Sequence, residues 1–221
     1  MSTRAIRLSL AVPVLAGLAT LAGCGSGTVT SAGPGASGPI RGGFSVCEPL
    51  SDQLVRREFG IEYLNKANEN PNGQERCSWQ ATQRASDGGP TQERQLWIAV
   101  RAWEPAPDGR SAVERAHKEY QALVPTPGTT GVNPVAGIGE EARFGVVPLP
   151  YKLVNGVETR RPQAVLTFRR ANATGTVGYV QGQVDPVTLR STLAAPATLR
   201  AAAVRFATEI DRWLAARAVR A

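Results

Sequence analysis

Outside its cysteines, the chain has three features whose residue types could support chemistry: one histidine, a pair of adjacent glutamates and a Gly-x-Gly turn. His117, the only histidine, would act as a base only with a carboxylate to orient it and a nucleophile beside it. No Gly-x-Ser-x-Gly elbow or similar signature supplies that setting. It falls beside the apolar stripe of a helical stretch, so a structural or solvated role is expected. Glu140 and Glu141 would make an acid/base pair only if both faced one site, and adjacent residues on a strand point to opposite faces. They are expected at a loop end or in solvent. Gly137-Ile138-Gly139-Glu140-Glu141-Ala142 fits the spacing Gly-x-Gly-x-x-Ala. The residues after it are strand-like and interrupted by proline, whereas phosphate binding needs a helix N-terminus behind the glycines. The glycines therefore read as a turn with unusual backbone angles. Trp79, Trp97 and Trp103 would line a ligand groove if they shared a face, with packing in the core or under a helix as the expected role. Asn172-Ala173-Thr174 has the form of a glycosylation triplet and is given no role.

Three cysteines remain, at 24, 47 and 77. Leu21-Ala22-Gly23-Cys24 ends an apolar run that comes after Arg4 and Arg7 and contains Pro13. Residues 8–21 are too few for a membrane-spanning helix, which needs about 20 residues, but suit a signal-peptide core. The four residues closely resemble the lipobox of bacterial lipoproteins. That resemblance implies cleavage before Cys24, a diacylglyceryl group on its thiol and acylation of the new amino terminus. Two acyl chains pass the threshold for stable anchoring, at about 0.8 kcal/mol per buried CH₂. With Cys24 assigned to lipid, Cys47 and Cys77 are left as a pair in an oxidising compartment, where a disulfide is the default. Two cysteines and one histidine give no recognisable zinc spacing, so neither a metal nor a cofactor is expected.

The formal charge is +7, and three lysines, Lys66, Lys118 and Lys152, stand against 22 arginines. Removal of residues 1–23 takes away two arginines and no acid, and the remainder is still basic. Such a surplus favours anionic surfaces such as headgroups or acidic polymers, although no long basic run is present. Nucleic acid is a poor partner for an exported chain. Residues 25–43 are rich in Gly, Ser and Pro, without aromatic residues or hydrophobic periodicity. They read as a tether with a root-mean-square reach of roughly 20–25 Å. The chain thus divides into a signal peptide at 1–23, the lipidated cysteine and flexible tether at 24–43, and a single extracytoplasmic domain at 44–221, long enough for one well-buried core.

Within that domain, Ser51 between Leu50 and Val55 predicts a helix start with a hydrophobic staple, stopped at Gly60. Ser111-Ala112-Val113-Glu114 is a capping box, continued by the stripe Val113, Ala116, Tyr120 and Leu123/Val124. Alternation predicts strands at 76–84 and 93–103, the second with Leu96, Ile98, Val100 and Ala102 opposite Trp97. Ala142/Phe144/Val146, Ala164/Leu166/Phe168 and Val177/Tyr179 predict three more, with Asn155-Gly156 as a hairpin signal and residues 171–175 as a turn. Leu199, Ala203, Phe206, Ile210 and Trp213 give a long amphipathic C-terminal helix with Arg200, Arg205, Arg212 and Arg217 on its polar face. The expected class is α+β: an antiparallel β-sheet packed by a few helices, including that last one.

The arginine-rich composition is typical of a GC-rich genome and compatible with an actinobacterial source. With the lipobox, the tether, Cys47 just before a short helix, Cys77-Ser78-Trp79 opening a strand, Gly137-Ile138-Gly139 before another and the terminal helix, the chain resembles the domain-of-unknown-function 3558 lipoproteins. More distantly it resembles the extracellular sensor domains of certain actinobacterial serine/threonine kinases, which commonly carry further cysteines. The first resemblance implies location and fold and transfers no activity. The expectation is a lipid-anchored protein on the extracytoplasmic face of the cell membrane. It would be a binding or sensor-like module and not an enzyme, with an envelope protein, a lipid or an anionic polymer as partner. The polar arginines Arg205, Arg212 and Arg217 are the expected contact. A lipid or glycolipid carrier, which needs a large apolar cavity, and an envelope hydrolase are the alternatives.

Overall fold

The computed structural model describes residues 39–62, 65–70, 73–123, 129–152, 158–188 and 191–218. Cys24, the lipobox, most of the tether and Asn155-Gly156 lie outside them. Among the described residues, eight strands and three helices occur in the order α1 (Asp52–Phe59), β1 (Asn65–Glu69), β2 (Glu75–Arg84), β3 (Thr91–Ala102), α2 (Ala112–Ala122), β4 (Thr130–Pro134), β5 (Glu141–Lys152), β6 (Glu158–Arg170), β7 (Ala173–Val184), β8 (Ser191–Leu193) and α3 (Pro196–Arg217). One antiparallel sheet runs β1-β2-β3-β7-β6-β5-β4. Since β6 pairs with β7 only as far as Ala164↔Tyr179, the freed edge of β7 takes β8, from Gly182↔Leu193 to Val184↔Ser191. The class is α+β, as the alternation and helical stripes require.

The helix ends are set by their residue types. Ser51 caps α1 by accepting the Leu54 N–H at 3.1 Å, and Leu50 and Val55 are both fully buried, as a staple demands. Gly60, with φ +67°, ends that helix. Ser111 and Glu114 form a reciprocal capping box on α2. Pro196 opens α3, where the missing N–H is no loss. Two members of the expected stripes lie elsewhere. Val113 is 48% exposed because α2 turns Ala116 and Tyr120, not its first turn, toward the sheet. Trp213 lies at the rim, edge-on to Phe44 with ring centroids 5.0 Å apart, and Leu214 takes the buried place.

The core fills the space between one sheet face and α1 with α3. Cys77, Trp79, Leu96, Ile98, Leu166, Phe168, Val177 and Tyr179 present that face, and Val55, Phe59, Leu199, Ala203, Phe206, Ile210 and Leu214 close it. Tyr179 packs against Phe206 at 5.8 Å and Phe59 at 6.2 Å. Each such large side chain contributes about 1.5–3 kcal/mol by leaving water. Burial pushes the Tyr179 hydroxyl up to about 12, against an ordinary 10. Cys47 and Cys77 form a disulfide with a Cα–Cα separation of 5.3 Å, tying the segment before α1 to β2.

Packing begins earlier than composition suggests. Ile40, in the stretch assigned to the tether, is 1% exposed. Its N–H donates to Asn172 Oδ1 at 2.6 Å and its carbonyl accepts from Asn172 Nδ2 at 2.9 Å. Asn172 and Ala171 form the two-residue turn between β6 and β7, and Ala171 is the one described non-glycine residue with positive φ, +48°. The Asn172 amide also donates to the Trp103 carbonyl at 2.8 Å. The apparent glycosylation triplet is thus a structural clamp, its amide enclosed and bonded.

Candidate functional site

The polar residues singled out from the sequence converge at the β6–β7 turn. Gly137 and Gly139 have φ of +79° and +58°, which makes them the turn expected and not a phosphate loop. A Cβ on Gly139 would overlap the Arg169 carbonyl oxygen, and the neighbouring Glu140 N–H donates to that same oxygen at 2.8 Å. The two glutamates do not point apart. Glu140 sits in the turn just before β5, so strand alternation does not govern it, and its carboxylate meets Arg169 Nη1 at 2.6 Å and the Ala171 N–H at 2.9 Å. Glu141 opens β5 opposite Arg169 in register, reaching its Nη2 at 3.4 Å and His117 Nδ1 at 3.2 Å. A carboxylate therefore does stand beside His117, contrary to expectation.

A carboxylate on Nδ1 of a half-exposed imidazole is the orienting half of a hydrolytic triad. Here the Glu141 oxygen is shared with Arg169, a mostly buried guanidinium that also donates to the Ala171 carbonyl at 3.0 Å. On the α3 side, Arg170 bonds Asp211, itself 6% exposed, and this pairing raises the affinity of Arg170 for its proton. These acids are committed to holding the turn between α2 and α3. What the cluster does physically is position backbone.

Three of the four arginines of α3 are paired with acids. Arg205 meets Glu58 at 2.7 Å, Arg212 meets Glu209 at 2.7 Å, and Arg217 pairs with Glu48. Arg200 lies over the Phe144 ring at 5.8 Å. A hollow of about 220 Å³ between α1 and α3 is bordered by Arg57, Arg205 and Arg212 but also by Glu58 and Glu209. The expected basic patch on this face thus carries an acid for each of its three arginines.

The tryptophans separate by strand parity. Trp79 pairs in register with Leu96 and is fully buried on the core face, whereas Trp97 and Trp103 lie on the other. Trp103 is flanked by Arg101 at 5.0 Å and Arg115 at 4.7 Å, close to the Asn172 clamp. Helix α2 covers this second face only over β6 and β7, where Thr167, Thr174 and Thr176 are buried and Tyr120 accepts from Arg143 Nε at 2.8 Å. Among the described residues, no helix packs on it over β1, β2 and β3.

On that open half the register sets the residues in rows. Asn65, Gln80 and Gln95 stand side by side, all exposed. The next row is Ala67, Ser78, Trp97 and Gly178, and beyond it come Glu69, Arg76 and Ala99. Trp97 lies flat because Gly178 has no side chain; any Cβ there would overlap its indole. The Arg76 guanidinium stacks 5.2 Å from the Trp97 ring. Although Glu69 is its register partner, no acid lies within ion-pair distance of Arg76 among the described residues, and Arg76 Nε is buried without a hydrogen bond. The sequence marked Trp97 as opposite its strand's apolar face. It named Ser78 only within Cys77-Ser78-Trp79 and gave no role to Arg76, Asn65 or Gln80; the signal for Arg76 and Gln80 was the polar half of the 76–84 alternation, and Asn65 had none.

No protein-family model, curated protein or solved structure matches this chain. Among the described residues, no group of three or more His, Cys, Asp or Glu side chains is placed to hold a metal ion, and no helix is long and apolar enough to cross a membrane.

Proposed function

We propose that this protein is a lipoprotein of the domain-of-unknown-function 3558 kind, anchored through Cys24 on the extracytoplasmic face of the cell membrane, and that it serves the envelope as a non-enzymatic binding or sensor-like module. The observation that carries this reading is the asymmetry of the sheet. Among the described residues, one face is closed by α1 and α3, and the other is left open at β1–β3 around a stacked tryptophan and arginine. An open strand face with a fixed aromatic side chain and exposed amides is suited to contact, whereas the only histidine and its carboxylate belong to an ion-pair cluster that locks a turn. The carrier alternative needs space where Trp79, Tyr179, Phe59, Phe168 and Phe206 already fill the interior between sheet and helices.

Two measurements in intact cells test the reading. Cys24→Ala should release the protein from the membrane fraction, and the wild type should show acyl mass on a chain beginning at Cys24. A photocrosslinking amino acid at Gln80 should capture an envelope component that the same probe at Lys118, on the exposed side of α2, does not. Turnover of an envelope substrate by the purified protein, abolished by one substitution that leaves the fold intact, would refute the reading.

A further inference from the structure

We infer that the open face of β1–β3 binds a saccharide bearing a carboxylate, a uronic-acid type of sugar chain; this rests on the reading of the protein as an envelope binding module. Adjacent strands are about 4.8 Å apart, so Asn65, Gln80 and Gln95 present three amides over about 10 Å, a span suited to two linked hexoses. Each amide offers both a donor and an acceptor, the pair that neighbouring sugar hydroxyls require. None of the three is engaged in a hydrogen bond among the described residues. One row along, the Trp97 ring lies flat beside the small residues Ser78 and Ala67, which form a shallow trough. One face of the indole rests on Gly178 and the other carries Arg76, so the ring's part is to hold the guanidinium beside this trough.

Arg76 supplies the charge selectivity. Its guanidinium is stacked on Trp97 and has no acid partner, so it is free to bind a carboxylate through two parallel hydrogen bonds. Arg101 stands on the same face, two residues along β3 from the Ala99 paired with Arg76, and Arg84 lies about 27 Å farther along β2. A polyanion without sugars fits poorly, because it brings no hydroxyls to the row of amides. A protein partner fits poorly as well, since the rows offer a single aromatic anchor and no aliphatic cluster.

The test uses the acylated mature protein in nanodiscs, titrated by calorimetry and tryptophan fluorescence with tetragalacturonate, the neutral maltotetraose and the non-saccharide tetraglutamate. Tetragalacturonate is expected to bind at least about tenfold more tightly than either control, the factor that one charge-assisted contact supplies. Arg76→Gln should remove that advantage. Trp97→Ala should weaken binding and abolish the fluorescence change, and since it also removes packing, Gln80→Glu and Gln80→Lys serve as surface probes that leave the core untouched. The first should weaken tetragalacturonate binding and the second strengthen it, with melting temperatures unchanged. Equal affinity for tetraglutamate, no binding, or binding indifferent to Arg76→Gln and both Gln80 variants would each overturn the inference. If tetragalacturonate fails while a probe at Gln80 still captures a different envelope component in cells, the ligand class falls and the binding reading stands. If the Gln80 probe captures nothing and the protein turns over a substrate, the binding reading itself falls.

Discussion

Asn172 clamps the start of the junction between tether and domain, and its removal has a calculable effect. It is 2% exposed and makes three hydrogen bonds of 2.6, 2.9 and 2.8 Å, to the Ile40 N–H, the Ile40 carbonyl and the Trp103 carbonyl. Asn172→Ala keeps a turn conformation that alanine tolerates, because its φ is not positive, but leaves three backbone groups without partners. At about 1–3 kcal/mol for each buried group stranded, and with water reaching some of them after relaxation, the local loss is about 2–3 kcal/mol. The loss falls on the segment from Ile40 to the Cys47 disulfide, which can detach without global unfolding. Arg41 lies inside that segment, and trypsin must pull it clear to cut. When opening and closing are fast relative to cleavage, the rate tracks the open population, so 2–3 kcal/mol predicts cleavage roughly 30- to 160-fold faster. The assay is limited trypsinolysis of the intact protein, read by mass at the Arg41–Gly42 bond. Asn172→Asp retains the acceptor for the Ile40 N–H but sets a carboxylate against two carbonyls, so it should be no better than alanine. Cleavage at Arg41 within threefold of wild type in both variants would refute the clamp.

Loss of the Cys47–Cys77 disulfide, which closes a 30-residue separation, should lower stability to urea by about 3–4 kcal/mol in either single serine variant, and the double variant should lose no more than the worse single one. Cys77→Ser should be the more damaging, because Cys77 is fully buried and Cys47 only partly. Tyr179 predicts an alkaline limit. Its hydroxyl ionises near 10 in the unfolded chain and only at about 12 when folded, so the unfolded state gains from deprotonation first, and stability is full below pH 10 and falls by about 2–3 kcal/mol up to pH 12. Tyr179→Phe should flatten that part of the pH profile of urea unfolding. In acid the sign reverses for Asp52, whose hydrogen bond to Lys66 holds its carboxyl below the ordinary value; its contribution is present above the unfolded value and disappears as pH falls through the folded one, an effect that Lys66→Met should remove from acid titrations monitored by circular dichroism. Gly139→Ala should destabilise by about 2–4 kcal/mol, since a left-handed φ of +58° and overlap with the Arg169 carbonyl act together.

What the sequence made legible was local. Ser51, Leu50 and Val55 announce α1, and the Ser111–Glu114 box announces α2, because capping chemistry is contained within four or five residues. The central strands were readable from alternation because one face is buried in each. The strands β1, Asn-Lys-Ala-Asn-Glu, and β4, Thr-Gly-Val-Asn-Pro, have every residue exposed, so they carry no apolar period and are held by backbone pairing to one neighbour. The convergence of Glu140, Glu141 and His117 was illegible for a different reason. It depends on the register Glu141↔Arg169, a relation across 28 residues that no local pattern encodes. The rows of the candidate site share this property, since Asn65, Gln80 and Gln95 become neighbours only through two successive strand pairings.

The central strand β7 connects the two halves of this design. Its residues 173–180 are buried on both faces, yet they are Ala-Thr-Gly-Thr-Val-Gly-Tyr-Val, small for a core strand. The reason lies in the two glycines and their parity. Gly175 points to the core face, where the Phe168 ring occupies the volume a side chain would take, and Gly178 points to the opposite face, where the Trp97 indole does the same. One absence of a side chain lets a core aromatic close the packing under α3. The other, three residues along and therefore on the other side of the sheet, lays a second aromatic flat on the open face, with Arg76 stacked upon it. The same strand thus fixes the hydrophobic interior and the orientation of the one ring on which the proposed recognition depends. A substitution at Gly178 would displace the binding surface before it disturbed the core.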